Sequence, residues 1–326
     1  MTKRERIKAT LAGEPVDRVP VAFWRHWPVD DQYAEALASR ALEYQAQYDW
    51  DFIKVTPSST YCVDDWGAKH VYRGRDIGER EYVERVVKRP EDWDRIEPVD
   101  IRKGSYGRVL ETLRIVLGKR APETPVIQTV FNPSSIARYL AGDETYTVHL
   151  REHPERMERA LRAITETTSS FVAAAIGEGA DGIFLSTRAS YEAMSEDENR
   201  RFVRPYDLRV LESARGGWFN VMHLHGQYPM FREIADYPVQ AVNWHDRTAW
   251  PPLEEAAKLF PGALSGGVEQ YALLHFGTHE EVTGQVHDAI ARMGGRRLII
   301  SAGCTYQLTV PVGNLLAARH AVETAP

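Results

Sequence analysis

Residues 181–225, DGIFLSTRASYEAMSEDENRRFVRPYDLRVLESARGGWFNVMHLH, contain the pattern that decides the fold. The apolar run at 181–187 is typical of a buried strand, and the run at 218–225 predicts a second one. Between them, Ser195 and Glu198 have the spacing of a capping box, and an amphipathic helix is predicted over 196–214. Two strands that are joined by a crossover helix pair in parallel, so the stretch predicts an α/β fold.

The same alternation runs through the whole chain. Eight strand-like runs occur, at 19–24, 51–57, 125–131, 181–187, 218–225, 239–245, 263–268 and 297–304. Helical spacing separates most of them, so eight strand–helix units predict a closed (β/α)8 TIM barrel. An open doubly wound sheet is the alternative, but no glycine-rich phosphate turn follows the first strand.

We expect the 326 residues to form a single barrel domain, 1–326. The segment from about 62 to 123 departs from the alternation and predicts a long insertion after the second strand. Within it, residues 69–87 alternate like a hairpin and residues 105–120 have helical spacing.

Charge and composition disfavour several kinds of partner and location for this protein. A net charge of -6 disfavours nucleic acid as a partner, because a nucleic-acid-binding surface needs a basic patch. No apolar run reaches membrane-spanning length, and the charged N-terminus has no apolar segment behind it, so no membrane association is expected and a cytoplasmic location is predicted. Two cysteines, Cys62 and Cys304, are too few for a disulfide framework.

Metal-capable side chains lie where the predicted strands end, which is where such barrels carry their chemistry. His223 and His225 are two residues apart on a strand, so their imidazoles point to the same face. Cys304 ends the last strand and is expected on the same rim. Two imidazoles and a thiolate suit zinc with an open coordination position. The alternative is that Cys304 is a small buried hydrophobe and the histidines bind an anionic substrate by hydrogen bonds.

Five further residues at strand ends are candidates for the site. Asn132 and Arg188 follow the third and fourth strands and are predicted to bind substrate. Arg25 is also predicted to bind substrate; the aromatic residues around it either stack on a flat ligand or pack against one end of the barrel. Tyr139 lies one or two helical turns beyond the third strand, where it either enters the mouth or packs in the core. His245 is a fourth ligand or a general base, unless the neighbouring aspartate simply holds it.

At these residues the chain resembles the uroporphyrinogen decarboxylase superfamily over nearly its whole length. The segments that carry the resemblance are RERIKATLAGEPVDRVPVAFWRH (4–26), NPSSIARYLAG (132–142), GADGIFLST (179–187), LSGGVEQ (264–270) and AGCTYQLTVPVGNLLAARHAV (302–322). The resemblance implies a small N-terminal helix, an eight-stranded barrel with its pocket at the strand ends, and Tyr139 as the active-site tyrosine. It also implies a homodimer.

Departures from the family pattern separate its branches. The decarboxylases carry M-R-Q-A-G-R after the first strand, an aspartate after the second and G-H-G after the last. Here only Arg25 of that arginine motif is kept, Ser58 is near the aspartate position, and Cys304 replaces the histidine. The chain is more similar to the methylcobamide:thiol methyltransferases, whose H-x-C-G and G-C motifs hold zinc. The matching residues are His223, His225 and Cys304, with one cysteine exchanged for histidine.

The resemblance therefore favours a zinc-dependent methyltransferase that moves a methyl group between a corrinoid, or a corrinoid protein, and a small acceptor. One thiolate and two neutral imidazoles leave the ion with a net charge of about +1, which makes a bound thiolate a poorer nucleophile. A water-activating hydrolase or a demethylase-type transfer thus stays open. A second hypothesis is a metal-free uroporphyrinogen decarboxylase with Arg25 on a substrate carboxylate, and a third is a non-catalytic tetrapyrrole or corrinoid carrier.

Overall fold

The computed structural model describes residues 1–325, and Pro326, the last residue of the predicted domain, lies outside the described residues. A curled parallel sheet carries seven strands, and a separate antiparallel hairpin carries two. In chain order the strands are β1 (Ile53–Val55), β2 (Lys69–Val71), β3 (Glu81–Glu84), β4 (Val126–Phe131), β5 (Gly182–Thr187), β6 (Val221–Leu224), β7 (Ala241–Asn243), β8 (Ala263–Val268) and β9 (Leu298–Ala302). The order in the parallel sheet is β1-β4-β5-β6-β7-β8-β9, with β2 and β3 forming the hairpin. The α/β class and the parallel sheet are as predicted.

The prediction of eight full strands is confirmed only in part, because the segment at 19–24 forms a single bridge. Val21 pairs with Ile300 of β9, and its carbonyl oxygen accepts from the backbone N–H of Asp51 at 3.0 Å. Two features keep this segment from extending. Pro20 has no N–H to donate, and the Val21 N–H bonds to the Asp51 carboxylate at 2.7 Å instead of to a neighbouring strand.

Fourteen α-helices lie among the described residues, and the predicted N-terminal helix is α1. They are α1 (Lys3–Ala12), α2 (Ala34–Tyr48), α3 (Tyr61–Asp64), α4 (Gly104–Lys119), α5 (Pro133–Ala141), α6 (Asp143–Glu152), α7 (Pro154–Gly177), α8 (Glu196–Phe202), α9 (Arg204–Ser213), α10 (Phe231–Ile234), α11 (Leu253–Leu259), α12 (Leu273–Phe276), α13 (His279–Met293) and α14 (Val312–Ala321). Two short 3-10 helices lie at Asp30–Gln32 and Pro90–Arg95. None of the helices in residues 1–325 combines the length and apolar character needed to cross a membrane.

The helix predicted over 196–214 is broken into α8 and α9. Its capping box forms as predicted, since Ser195 accepts from the N–H of Glu198 and the Glu198 carboxylate accepts from the N–H of Ser195. Val203 then leaves the helical conformation, with φ -120° and ψ -65°. Pro205 explains the break, because proline has no N–H for the helical ladder and its ring restricts the residue before it.

The segment between β1 and β4 contains the predicted hairpin and helix. The hairpin of β2 and β3 is antiparallel, and α4 follows it. Just after β3, the backbone N–H of Val86 donates to the carbonyl oxygen of Leu140 in α5, and Tyr82 stacks on Tyr139 at 6.3 Å between ring centroids. The hairpin is therefore fixed against the helix that follows β4, over the carboxyl ends of the strands.

Candidate functional site

His223 is held in one orientation by a neighbouring strand. It lies on β6, is only 2% exposed, and its Nδ1 is 2.6 Å from Oδ1 of Asn243 on β7. The amide nitrogen of Asn243 donates to the carbonyl oxygens of Ser265 and Ala302, so Oδ1 must be the atom that faces the imidazole. Asn243 can only accept there, which places the proton of His223 on Nδ1 and leaves the Nε2 lone pair free to bind a metal.

His225 and Cys304 come from the ends of different strands and meet in space. The Sγ of Cys304 is 3.8 Å from Nδ1 of His225, although 79 residues separate them. Gly303 lets the end of β9 pass close to the end of β7, since a Cβ at that position would lie 2.7 Å from the Cα of His245. The close contact of these two strand ends brings the sulfur to the same side of the sheet as the imidazoles.

The three residues lie close enough together to hold one metal ion. One ligand atom from each of His223, His225 and Cys304 lies within 4.8 Å of the other two. With bonds of about 2.3 Å to sulfur and 2.0 Å to nitrogen, two ligands of a tetrahedral zinc would lie roughly 3.3–3.5 Å apart. Burial lowers the pKa of His223 well below its usual value, and burial together with Arg188 lowers the pKa of His225 to about 3. Both imidazoles are therefore neutral near pH 7, as metal ligands must be.

The thiol of Cys304 differs from the imidazoles in its protonation. Burial raises the pKa of this thiol, while contact with Thr305 opposes the rise. Without a cation the thiol is protonated at neutral pH, and a bound metal would take the thiolate and release the proton. The donor set thus fits zinc with three protein ligands and room for a fourth from a small molecule.

A small cavity of about 80 Å³ opens beside these three residues. Most of its lining side chains are polar or charged, and four aromatic rings, those of Trp24, Phe131, Tyr139 and Phe184, lie among them. The lining residues are Trp24, His26, Lys54, Thr56, Pro57, Ser59, Glu79, Thr129, Phe131, Tyr139, Phe184, Ser186, Arg188, His223, His225, Cys304 and Thr305.

Besides His223, His225 and Cys304, two more of the predicted site residues line this cavity. Tyr139 lies on α5 between Tyr82 and Phe131, and burial raises the pKa of its hydroxyl, so the hydroxyl keeps its proton. Arg188 follows β5 and makes no hydrogen bond or ion pair with any residue in 1–325. Both side chains are available to a ligand.

Asn132 and Arg25 lie outside the cavity lining. Asn132 is fully buried, its Oδ1 caps α5 through the N–H of Ser135, and its amide donates to Thr187 and Asp207. The guanidinium of Arg25 lies over the ring of Trp27 at 4.7 Å from its centroid. Neither side chain is on the cavity wall, and the role of these two residues in substrate binding stays a prediction.

His245 is next to the cluster and has a partner other than its neighbouring aspartate. Its ring centroid is 5.4 Å from that of His225 and 6.4 Å from that of His223. The amide of Gln270 donates to its Nδ1 at 2.8 Å, which leaves the proton on Nε2. Burial lowers its pKa. His245 is not part of the three-residue cluster.

Two charged lining residues were missed by the sequence-based prediction. Lys54 lies in the middle of β1, where its neighbours Ile53 and Val55 are buried. A lysine within such an apolar run was a usable signal, because lysine is rarely buried without a reason. Glu79 reaches the cavity from the loop of the hairpin. No local pattern predicts that contact, since it depends on how the hairpin packs.

Several known proteins are similar to this chain in sequence or structure. Methylcobamide:CoM methyltransferase MtbA of Methanosarcina acetivorans is 23% identical over 335 residues, covering 96% of this chain and 95% of the relative. Methylcobamide:CoM methyltransferase MtaA of Methanosarcina barkeri is 26% identical over 243 residues, covering 69% of this chain and 70% of the relative. A solved structure of a methyltransferase from Methanosarcina mazei has a TM-score of 0.88 at 21% identity and covers 99% of both chains. Residues 32–325 match the uroporphyrinogen decarboxylase (URO-D) family, so this chain belongs to that family.

Proposed function

We propose that this protein is a zinc-dependent methyltransferase that moves a methyl group between a corrinoid and a small acceptor. The observation that carries the proposal is the cluster of His223, His225 and Cys304 on the wall of a ligand-sized cavity. Support also comes from relatives that are named methylcobamide:CoM methyltransferases and that align with nearly the whole chain.

We assign each residue of the site a role from its contacts. Zinc, when bound, holds the acceptor and lowers the pKa of its nucleophilic group. Asn243 fixes the ring of His223 so that Nε2 faces the ion. Tyr139 donates a hydrogen bond to the bound molecule, and Arg188 provides a positive charge at the strand ends. His245 is close enough to the cluster to act through the proton on Nε2 as a donor.

The size of the cavity indicates that the acceptor binds inside it and that the corrinoid stays at its mouth. The cavity is small, about 80 Å³, so it suits a small molecule. A corrinoid is a large macrocycle, so only the acceptor fits inside and the corrinoid, free or protein-bound, approaches from the mouth. In this arrangement, the methyl group passes from the corrinoid at the mouth to the acceptor at the metal.

We propose further that residues 19–24 act as the eighth element of a closed barrel within one domain, 1–326. The backbone of this segment is hydrogen-bonded on one side to β9, through Ile300, and on the other to Asp51 just before β1. The edges of the sheet are thus connected through it, although only one residue forms a bridge.

Metal analysis tests the proposed function most directly. Purified wild-type protein is expected to hold one zinc per chain, and the His223→Ala and Cys304→Ser variants are expected to lose it. Cys62→Ala is the matched control, because Cys62 is buried away from the cavity lining and its loss should leave the zinc content unchanged. A wild type that binds no zinc even after incubation with the metal would rule out the proposed chemistry.

Methyl transfer is then measured with methylcobalamin as donor and a small thiol as acceptor, following the loss of the methyl–cobalt absorbance. The decarboxylase alternative is tested by incubation with uroporphyrinogen. That alternative places Arg25 on a substrate carboxylate, and the position of Arg25 over Trp27 gives it no support.

A further inference from the structure

A groove between α7 and α9 lies on the helical surface of the molecule, apart from the cavity at the strand ends. The two helices pack side by side, and the groove between them has a volume of about 770 Å³. We call it the α7/α9 groove; its size is within the range of sites that hold small organic ligands. It has no lining residue in common with the cavity beside the metal cluster. The lining residues are Arg162, Thr165, Glu166, Ser169, Ser170, Pro205, Tyr206 and Arg209.

Arg162 of α7 has no ion pair with a carboxylate in residues 1–325. Glu158 lies four residues earlier, on the same face of the helix, but it pairs with Arg201 of α8 at 2.7 Å. Burial and the Glu158 carboxylate raise the pKa of the Tyr206 hydroxyl, and Arg162 opposes this rise. The guanidinium of Arg162 is therefore close to the Tyr206 hydroxyl across the groove, and its charge is not neutralised by an acid.

Arg209 of α9 is a second guanidinium without an ion pair in the described part of the chain. Glu212, three residues later on the same helix, pairs with Arg215 at 3.7 Å. Other arginines on these helices do have acidic partners; Arg159 of α7, for example, pairs with Asp94 at 2.6 Å outside the groove. The α7/α9 groove thus brings together two arginines, one from each helix, that no neighbouring carboxylate binds.

The remaining lining groups are mostly hydroxyls, with one carboxylate. The hydroxyl of Ser169 is buried and has no hydrogen-bond partner in residues 1–325. Ser170 and Tyr206 provide further hydroxyls, and Glu166 is the single acid of the lining. The lining thus has two positive charges and one negative charge, although the whole chain has a net charge of -6. A locally positive groove on a negative protein attracts anions.

We infer that the α7/α9 groove binds a small organic molecule that carries a phosphate group, at a site separate from the proposed metal centre. A phosphate monoester has nearly two negative charges near pH 7 and three acceptor oxygens, which match two guanidiniums and several hydroxyls better than a carboxylate does. The rigid fork of N–H donors in arginine suits phosphate oxygens. The volume leaves room for an organic part against Pro205 and Tyr206, where Glu166 can accept from its hydroxyl groups.

Calorimetric titration of the purified protein with a matched set of probes tests this inference. Ribose 5-phosphate carries the phosphate, ribonate carries a carboxylate on the same carbon skeleton, and ribose is uncharged. We expect ribose 5-phosphate to bind at least about tenfold more tightly than either of the others, the effect of one hydrogen bond to a charged group. It should also bind more tightly than inorganic phosphate, because the organic part contacts the groove.

Substitutions on the two helices locate the bound phosphate. Arg162→Met and Arg209→Met should each lower the affinity for ribose 5-phosphate at least about tenfold, and Ser169→Ala should lower it about two- to tenfold, as for one neutral hydrogen bond. Arg162 and Arg209 are exposed and lie on different helices, so one variant keeps the test valid if the other does not fold. Arg159→Met is the matched control on α7 and should bind like wild type, because Arg159 lies outside the groove lining.

Three results would overturn the inference. The first is the absence of binding of both ribose 5-phosphate and inorganic phosphate to wild type. The second is equal affinity for these two probes, which would show an adventitious ion only. The third is full affinity in both Arg162→Met and Arg209→Met with a loss in Arg188→Met, which would place the phosphate in the cavity at the strand ends. None of these results bears on the zinc content, so the proposed function is tested separately.

Discussion

Replacement of Asn243 by alanine is expected to weaken zinc binding without changing any of the three proposed ligands. Oδ1 of Asn243 is the partner of His223 Nδ1, at 2.6 Å, and the amide nitrogen donates to the carbonyl oxygens of Ser265 and Ala302 at 2.9 and 3.0 Å. In Asn243→Ala the imidazole can rotate and can carry its proton on either nitrogen. Part of the population then presents a protonated nitrogen to the ion.

The size of the effect follows from the contacts that are lost. Removal of a partner that orients a metal-binding histidine costs about 10- to 100-fold in metal affinity, or about 1.4–2.7 kcal/mol. The substitution also leaves two buried carbonyl oxygens without this donor. At about 1–3 kcal/mol for each buried group left unsatisfied, we expect the free energy of unfolding of the metal-free protein to fall by about 2–6 kcal/mol.

Asn220→Ala separates these two effects. Asn220 is 3% exposed, accepts from the N–H of Ile183, and donates to the carbonyl oxygens of Ala214 and Gly217, at the end of β6 opposite to the histidines. It should lose a similar amount of stability in urea unfolding and keep its zinc affinity. Zinc affinity is measured by competition with a chromophoric chelator on folded protein. Wild-type affinity in Asn243→Ala, or an equal loss in Asn220→Ala, would refute the reasoning.

Four further predictions concern protonation and the cavity wall. Burial raises the pKa of Asp207 to about 7, so between about pH 4 and pH 7 the folded state keeps a proton that the unfolded state releases, and stability falls as pH rises. Asp207→Asn should remove a loss of about 2–3 kcal/mol between pH 5 and pH 8 in urea unfolding, and an unchanged pH profile would contradict this. Zinc binding at pH 7 should release about one proton, from Cys304, because both imidazoles are already neutral; release of two, measured in weakly buffered solution, would argue against the assignment. Tyr139→Phe should lower kcat/KM about two- to tenfold with unchanged stability, the effect of one neutral hydrogen bond, and equal rates would remove the tyrosine from the site. Arg25→Ala should change the calorimetric affinity for the acceptor by less than twofold, and a larger loss would bring Arg25 back as a binding residue.

The parallel sheet could be predicted because each strand run is short, apolar and followed by helical spacing. The convergence of His223, His225 and Cys304 could be predicted for two reasons: side chains two apart on a strand share a face, and the carboxyl ends of parallel strands meet at one rim. Zinc itself stays a prediction. The weak eighth strand could have been anticipated from Pro20, since a proline cannot donate within a sheet.

The polar residues at strand ends were harder to assign, because position alone does not separate a ligand-binding group from one that stabilises the fold. Asn132 precedes a proline at the start of a helix, and this pair is a strong N-cap signal that competes with a role in binding. Arg25 packs on Trp27, as its aromatic neighbours allowed. Asn243 gave no signal, since its importance comes from contacts with three other strands.

The bridge at Val21 determines how ligand binding could affect the connection between the two edge strands of the sheet. The first and last strands of the sheet are joined there by only three backbone hydrogen bonds: Ala22 to Ile300, Ile300 to Pro20, and Asp51 to Val21. Lys54 belongs to one of these strands and Cys304 follows the other. A ligand in the cavity that contacted both residues would therefore link the two edge strands across this weak connection, and slower deuterium uptake of the Ile300 amide would report its binding.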